Sequence, residues 1–184
     1  MIKYIVTLFL LSMVCAFGQV SFKGNTFYFY GEFDEDSANK FQEFIETLPS
    51  TTDTIKIRID SPGGVVSSLA RIVNYLKDFK GTVETYNDGM AASCAFMLFM
   101  EGDKRYSNSY AMFLAHSIAG GARGKPAAIQ DEVDMMNRMN EAFMKRLKYL
   151  GFEHPEKYFG KDDIYMTYYE MLDLHLLDSK EMVK

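Results

Sequence analysis

Thr54-Ile55-Lys56-Ile57-Arg58-Ile59-Asp60-Ser61-Pro62-Gly63-Gly64 carries the clearest structural pattern in this chain. Isoleucine alternates with charged residues from 55 to 59, which predicts a β-strand with one buried face. The four residues that follow, Ser-Pro-Gly-Gly, are by themselves more typical of a tight turn than of a reaction site. Glycine nevertheless lets main-chain N–H groups come close to a substrate oxygen, because no side chain intervenes.

Strand and helix patterns alternate on both sides of this segment. The predicted strands are 26–30, ended by Gly31, then 54–60, 82–86, 104–107, 110–115 and 164–166. The predicted helices are 34–48, a segment from Ser67 through Leu76, 93–100, 126–150 and a last one from Thr167. Strand-helix cycles joined by short turns predict parallel strands with right-handed crossovers. The expected fold class is a compact α/β domain with a projecting long helix.

The N-terminus has the pattern of a secretory signal peptide. Lys3 precedes an apolar run, and Ala16-Phe17-Gly18 places small residues where cleavage before Gln19 would need them. We therefore expect a leader over 1–18, one domain over 19–184, and export to a periplasmic or extracellular site. The alternatives are a membrane anchor at 4–17, which is short for a bilayer of ~30 Å, and a lipoprotein acylated at Cys15.

Composition excludes several classes of function. The 20 basic and 25 acidic side chains give a net charge of −5, and loss of Lys3 with the leader makes it −6. With no basic run, nothing suggests a nucleic-acid partner. No metal-ligand cluster or phosphate-binding glycine loop is present, so no metal or cofactor is expected. After cleavage Cys94 would be the one remaining cysteine, so no internal disulfide would form.

A second small-residue segment, Gly89-Met90-Ala91-Ala92, leads to Ser93 at the start of a predicted helix. The positive end of the helix dipole favours a reacting hydroxyl there. Serine also needs a base. His154 falls in an expected exposed turn and His175 at a helix end, whereas His116 ends a strand and opens a glycine-rich loop, where active-site groups gather. His116 is the base we select.

These segments together resemble the Clp protease proteolytic subunit, a serine peptidase family whose ClpP-like fold is shared with the crotonases. The resemblance runs from about Thr26 to Asp178 through five segments: 59–64, 89–93, 102–106, 113–116 and 161–167. It implies that Ser93 is the nucleophile, His116 the general base and acid, and Asp163 the carboxylate that orients His116. Asp162 is the rival for that last role. The backbone N–H groups of Gly64 and Cys94 would form the oxyanion hole.

The resemblance also implies peptide or loosely folded protein substrates and a ring-shaped homo-oligomer. Its rings stack through a strand and a long helix that correspond here to Gly120–Leu150. The family's N-terminal pore segment has no evident counterpart, which together with export argues against an ATP-driven unfoldase partner. Two further departures are Cys94-Ala95 where the family usually has Met-Gly, and Ser117-Ile118 where it usually has Gln-Pro.

Three other functions stay open at this point. A signal-peptide-peptidase-like enzyme would use a serine–lysine dyad, for which Lys125 is the candidate. A catalytically inactive assembly subunit would explain the changed residues after Ser93 and His116. A crotonase-like enzyme would use its glycine-rich oxyanion hole on acyl-CoA thioesters, which an exported protein would seldom meet.

Overall fold

The structure, a computed structural model, describes residues 20–121, 123–159 and 163–178. The predicted leader over 1–18 and the rival carboxylate Asp162 lie outside these residues. Within them, seven strands form one sheet: β1 (Ser21–Lys23), β2 (Thr26–Phe33), β3 (Thr54–Gly64), β4 (Thr82–Ala92), β5 (Lys104–Ser107), β6 (Met112–Ala115) and β7 (Ile164–Thr167).

The sheet is parallel at its centre and antiparallel at its edges. Its order is β1-β2-β3-β4-β6-β7, and β5 pairs with the first half of β4. Strands β2, β3, β4 and β6 run parallel, whereas β1 and β7 are antiparallel to their neighbours. The parallel pairing predicted from the strand-helix cycles is therefore confirmed.

In the described part of the chain, five α-helices accompany the sheet: α1 (Glu35–Thr47), α2 (Val66–Asp78), α3 (Cys94–Met100), α4 (Pro126–Tyr149) and α5 (Tyr168–Asp173). Every residue of α3 is buried, as expected for a helix that is apolar on all sides. The isoleucines of β3 are fully buried, and they share one core with the phenylalanines of α1 and of β2, the adjacent strand. The alternation read from the sequence is confirmed: Ile55, Ile57 and Ile59 face the core.

Two segments outside the predicted strands 54–60 and 82–86 are strand in the structure. Ser-Pro-Gly-Gly forms the end of β3, where Gly63 pairs with Glu32 and Gly64 with Phe33. Consequently β2 does not stop at Gly31 but continues past an irregularity between Tyr30 and Glu32. Residues 89–92 likewise end β4. Local turn propensity is overridden in both places because the neighbouring strands supply hydrogen-bond partners.

Helix α4 departs from the rest of the domain. Only Leu147 of its 24 residues is buried, and its N-terminal half is largely exposed. The strand that the family resemblance placed before this helix is absent from the described residues 116–121 and 123–125. None of the helices in the described ranges is both long and apolar enough to cross a membrane.

Candidate active site

Ser93 lies at an abrupt junction between β4 and α3. Its backbone angles are φ 56° and ψ −120°, a left-handed conformation that residues with a side chain rarely adopt. Such strain costs ~1–3 kcal/mol and tends to occur at functional sites, including the strand-to-helix turns that expose nucleophilic serines. Its N–H donates to Leu114 O at 2.9 Å, which ties the junction to β6.

The two glycines that end β3 lie against this junction. A Cβ atom added to Gly63 would lie 2.6 Å from Ser93 Cβ and 3.0 Å from Cys94 N. One added to Gly64, where φ is 144°, would lie 2.5 Å from Phe33 O. Only glycine fits at either position, because a side chain would collide with backbone. The absent side chains leave backbone amides close to the serine.

Strand register brings His116 and Asp163 to the same end of the sheet. In the parallel pair β4–β6, Ala92 is opposite Leu114, so Ser93 and His116 follow adjacent strands. In the antiparallel pair β6–β7, Ala115 is opposite Ile164, so the residues one step beyond are His116 and Asp163. Their Nδ1 and Oδ1 atoms are 3.7 Å apart, which is longer than a hydrogen bond.

Ser93 and His116 line one cavity of about 290 Å³. Gly64 and Cys94 line it as well, so the cavity contains the predicted nucleophile, base and both predicted oxyanion donors. The rest of its wall is mainly apolar: Pro62, Val66, Met97, Ala115, Ile118, Ala119, Phe143 and Phe159. A concave apolar site with a few convergent polar groups is the usual form of a binding site. Within the described residues, no hydrogen bond joins the Ser93 hydroxyl to the His116 ring.

The Cys94 thiol is next to Ser93 but is held in its protonated form. It is buried, and it donates to Gly64 O at a sulfur–oxygen distance of 3.2 Å. Burial raises the pKa of Cys94 from 9.0 to about 11. Because the thiolate is the reactive form of cysteine, this side chain is a poor nucleophile at neutral pH.

The other sequence candidates lie away from this cavity. His154 is exposed and contacts Glu156 at 3.1 Å, and His175 follows the end of α5. Lys125 is exposed at the start of α4 and is not among the residues lining the cavity. Across 20–121, 123–159 and 163–178, no group of three acidic, histidine or cysteine side chains could hold a metal ion.

Sequence reasoning missed the irregularity in β4 that sets the position of Ser93. Ile59 pairs with Asn87, but the next pair is Ser61 with Ala91, so the three residues 88–90 face Asp60 alone. Without these extra residues Gly63 would be opposite Ala91. The sequence signal for this irregularity was Gly89. In the structure, a Cβ added at this position would lie 2.7 Å from the Asp60 carboxylate.

Comparison with known proteins agrees with this architecture. The Clp protease family profile matches residues 17–178. The ATP-dependent Clp protease proteolytic subunit 3 of Rhizobium meliloti (strain 1021) is 28% identical over 123 residues, which are 65% of this chain and 63% of that protein. The fold and the extent of the family match define the class: this chain belongs to the Clp protease family. The match to that relative spans less than two thirds of the relative's length.

Proposed function

We propose that this protein is a serine endopeptidase that hydrolyses peptide bonds through Ser93, His116 and Asp163. The observation that carries the proposal is the placement of Ser93, in a strained backbone conformation, on the same cavity as His116. Family membership supports a protease as the general class. The register of β6 and β7 favours Asp163 as the third member, because Asp163 and His116 each lie one residue beyond the last pair, Ile164 with Ala115.

The reaction is acyl transfer. Ser93 Oγ attacks the peptide carbonyl carbon while His116 accepts the hydroxyl proton, and the carbonyl oxygen becomes an oxyanion. His116 then gives its proton to the leaving amine, and the C–N bond breaks to leave an acyl-serine ester. Water, deprotonated by His116, hydrolyses the ester and regenerates the serine. No step requires a metal or an organic cofactor.

The oxyanion is stabilised by the backbone N–H groups of Gly64 and Cys94. Both residues line the cavity, and the Cys94 thiol restrains Gly64 by donating a hydrogen bond to its carbonyl oxygen. Losing one such donor typically slows catalysis by ~10²–10³-fold. The separation of 3.7 Å between His116 and Asp163 must shorten by about 1 Å to give a hydrogen bond, as catalytic contacts commonly do when substrate binds.

Covalent labelling is the decisive experiment. A fluorophosphonate should modify the protein at Ser93, located by mass spectrometry of the labelled peptide. Ser93→Ala and His116→Ala should abolish both labelling and peptide hydrolysis, whereas Lys125→Ala should leave them unchanged. Activity that survives His116→Ala and vanishes in Lys125→Ala would establish the serine–lysine dyad instead. Wild-type protein that is folded but never labelled would favour the inactive assembly subunit.

We further propose that the protein works as a ring-shaped homo-oligomer assembled through α4. The supporting observation is that large apolar side chains of that helix are exposed: Ile129 and Val133, one turn apart on one side, and Met135 on the other side. The named relative is described as ATP-dependent; for this chain we propose action on peptides and loosely folded proteins without an unfoldase. Hydrolysis of such substrates in the absence of ATP checks that part.

Export is a separate proposal, supported by the sequence pattern of residues 1–18 alone. The expected mature N-terminus is Gln19. Mass spectrometry of protein expressed with its leader tests this directly. An intact N-terminus in the membrane fraction would indicate the anchor at 4–17, and a lipid-modified Cys15 would indicate the lipoprotein.

A further inference from the structure

The apolar face of α4 is interrupted by one polar residue. Ile129, Val133 and Met136 precede Asn140 on this face, and Phe143, Leu147 and Leu150 follow it. An amide in the middle of such a row must either reach solvent or find a partner, because burying it unpaired is costly. Asn140 is half-buried in the structure, so its contacts decide which applies.

Asn140 binds the segment that follows His116. Its Oδ1 accepts a hydrogen bond from Ile118 N at 2.7 Å. Ile118 lies beyond the end of β6 at Ala115, so its N–H has no place in the sheet ladder. The next part of the segment also approaches α4, since a Cβ on Gly120 would lie 2.9 Å from Met136 Sδ. The segment thus runs along α4 from Asn140 to Met136.

This segment forms part of the cavity wall. Ile118 and Ala119 line the same cavity as Ser93 and His116, and Phe143, one turn after Asn140, completes that wall from α4. We propose that Asn140 is a positioning residue that holds the wall formed by Ile118 and Ala119 against α4, and so sets the affinity for peptide substrates. The inference rests on the proposed peptidase function.

The contact depends on the residue at position 118. Proline has no N–H, so the Gln-Pro sequence usual in the family at 117–118 could not make this hydrogen bond. A proline ring restricts the backbone by fixing φ. In this chain a side-chain hydrogen bond from α4 restrains the same segment. Ile118 and Asn140 therefore form a coupled pair.

The test compares four variants of the mature protein. Asn140→Leu removes the acceptor, Asn140→Asp retains one, Ile118→Pro removes the donor, and the double variant Ile118→Pro/Asn140→Leu closes a mutant cycle. Asn137→Leu, at an exposed position on the same helix, is the matched control. Four quantities are measured for each: kcat and KM for a fluorogenic peptide, the rate of Ser93 labelling by a small fluorophosphonate, and amide hydrogen exchange over residues 117–121.

Asn140→Leu should raise KM about fivefold, the equivalent of one hydrogen bond, with kcat and the labelling rate within about twofold of wild type. Asn140→Asp should restore KM. Exchange over 117–121 should accelerate in Asn140→Leu but not in Asn137→Leu. In the Ile118→Pro background, adding Asn140→Leu should change KM no further.

Three results would overturn the inference: unchanged KM in Asn140→Leu, an equal additional rise in the proline background, or unchanged exchange over 117–121. A wild-type protein that neither labels nor hydrolyses peptide would instead refute the proposed peptidase function. Hydrogen exchange separates these failures, because it reports the contact between Asn140 and Ile118 without any activity.

Discussion

Ser93 combines a reactive hydroxyl with an unfavourable backbone. Its φ of 56° is a backbone conformation that glycine adopts readily but that strains residues with a Cβ atom. The side chain is nonetheless held there because the N–H bond to Leu114 O and the close approach of Gly63 fix the junction on two sides. The proposed nucleophile therefore destabilises the fold that presents it.

Replacing Ser93 by glycine should make the protein more stable and inactive. Relief of ~1–3 kcal/mol of strain outweighs the ~0.5–1 kcal/mol of added unfolded-chain entropy, so Ser93→Gly should unfold at a higher urea concentration. Ser93→Ala, which loses the hydroxyl but keeps Cβ, is the control and should match wild type. Equal midpoints for Ser93→Gly and Ser93→Ala would show that the strain at position 93 is no larger than the entropic cost of glycine.

The Cys94 thiol should resist alkylation in the folded protein. Burial raises its pKa from 9.0 to about 11, so near pH 8 a far smaller fraction of it is thiolate than of an ordinary exposed thiol. Because the folded state favours the protonated thiol, its contribution to stability is present below pH 9 and is lost as the pH rises towards 11.

Iodoacetamide followed by mass spectrometry measures this reactivity. Cys94 should react slowly in native protein near pH 8 and rapidly in urea, which serves as the control for the intrinsic thiol. Fast alkylation of the native protein would contradict the burial of Cys94 and weaken the assignment of Ser93 as the sole nucleophile at this junction.

Among the secondary-structure elements, the end of β4 determines the position of Ser93. The irregularity at residues 88–90 is held from both sides of the strand. Asn87, fully buried, donates from Nδ2 to Met112 O at 2.9 Å and accepts from Gly89 N at 3.2 Å. Asp60 Oδ1 accepts from Met90 N at 3.0 Å. These three contacts hold the shifted register between β3 and β4, in which Ser93 lies beside Gly63.

Asn87→Leu should lower both stability and reactivity. It leaves Met112 O and Gly89 N without their present partners, which should cost about 2 kcal/mol or more in the free energy of unfolding. It should also slow fluorophosphonate labelling, since Ser93 moves relative to the oxyanion donors. Asn74→Leu, the same change at an exposed position on α2, should do neither. If Asn87→Leu lowers stability but leaves the labelling rate unchanged, the irregularity in β4 does not determine the reactivity of Ser93.

In the whole molecule, the packing of a single domain does not account for the exposed apolar side chains of α4. A helix with 36–52% exposure at Ile129, Val133 and Met135 leaves apolar surface in water. Close to the cavity the same helix supplies Phe143 to the wall. Assembly through the N-terminal half of α4 would therefore cover the apolar surface and restrain a helix that contacts the site.

Val133→Lys should disrupt the proposed ring. A charge placed in an apolar contact must be desolvated without a partner, so the variant should sediment as smaller species than wild type in analytical ultracentrifugation. Ala127→Lys adds the same charge at an exposed position that lies about 120° around α4 from Val133, and it is the control. A wild-type chain that is monomeric at micromolar concentration, or a Val133→Lys variant that assembles normally, would refute assembly through this face.

Much of the fold follows from the sequence alone, because buried positions repeat with the period of the element that contains them. The β5 boundaries 104–107 agree with the structure, and α4 differs from its predicted end by one residue. Ser93 and His116 were selected from motifs whose chemistry depends on residue type. The predicted strand 54–60 stopped before Ser-Pro-Gly-Gly because the strand character of these four residues comes from pairing with β2, which is distant in sequence.

Only the tertiary structure decided which residues meet. Ser93, His116 and Asp163 come together because β4, β6 and β7 are neighbours in the sheet, and strand order is not encoded locally. The same holds for Asn140, which the sequence showed only as a break in an apolar row, until the Ile118 amide proved to be its partner. Periodicity determines which face of an element is buried, whereas long-range pairing determines what that face or strand end contacts.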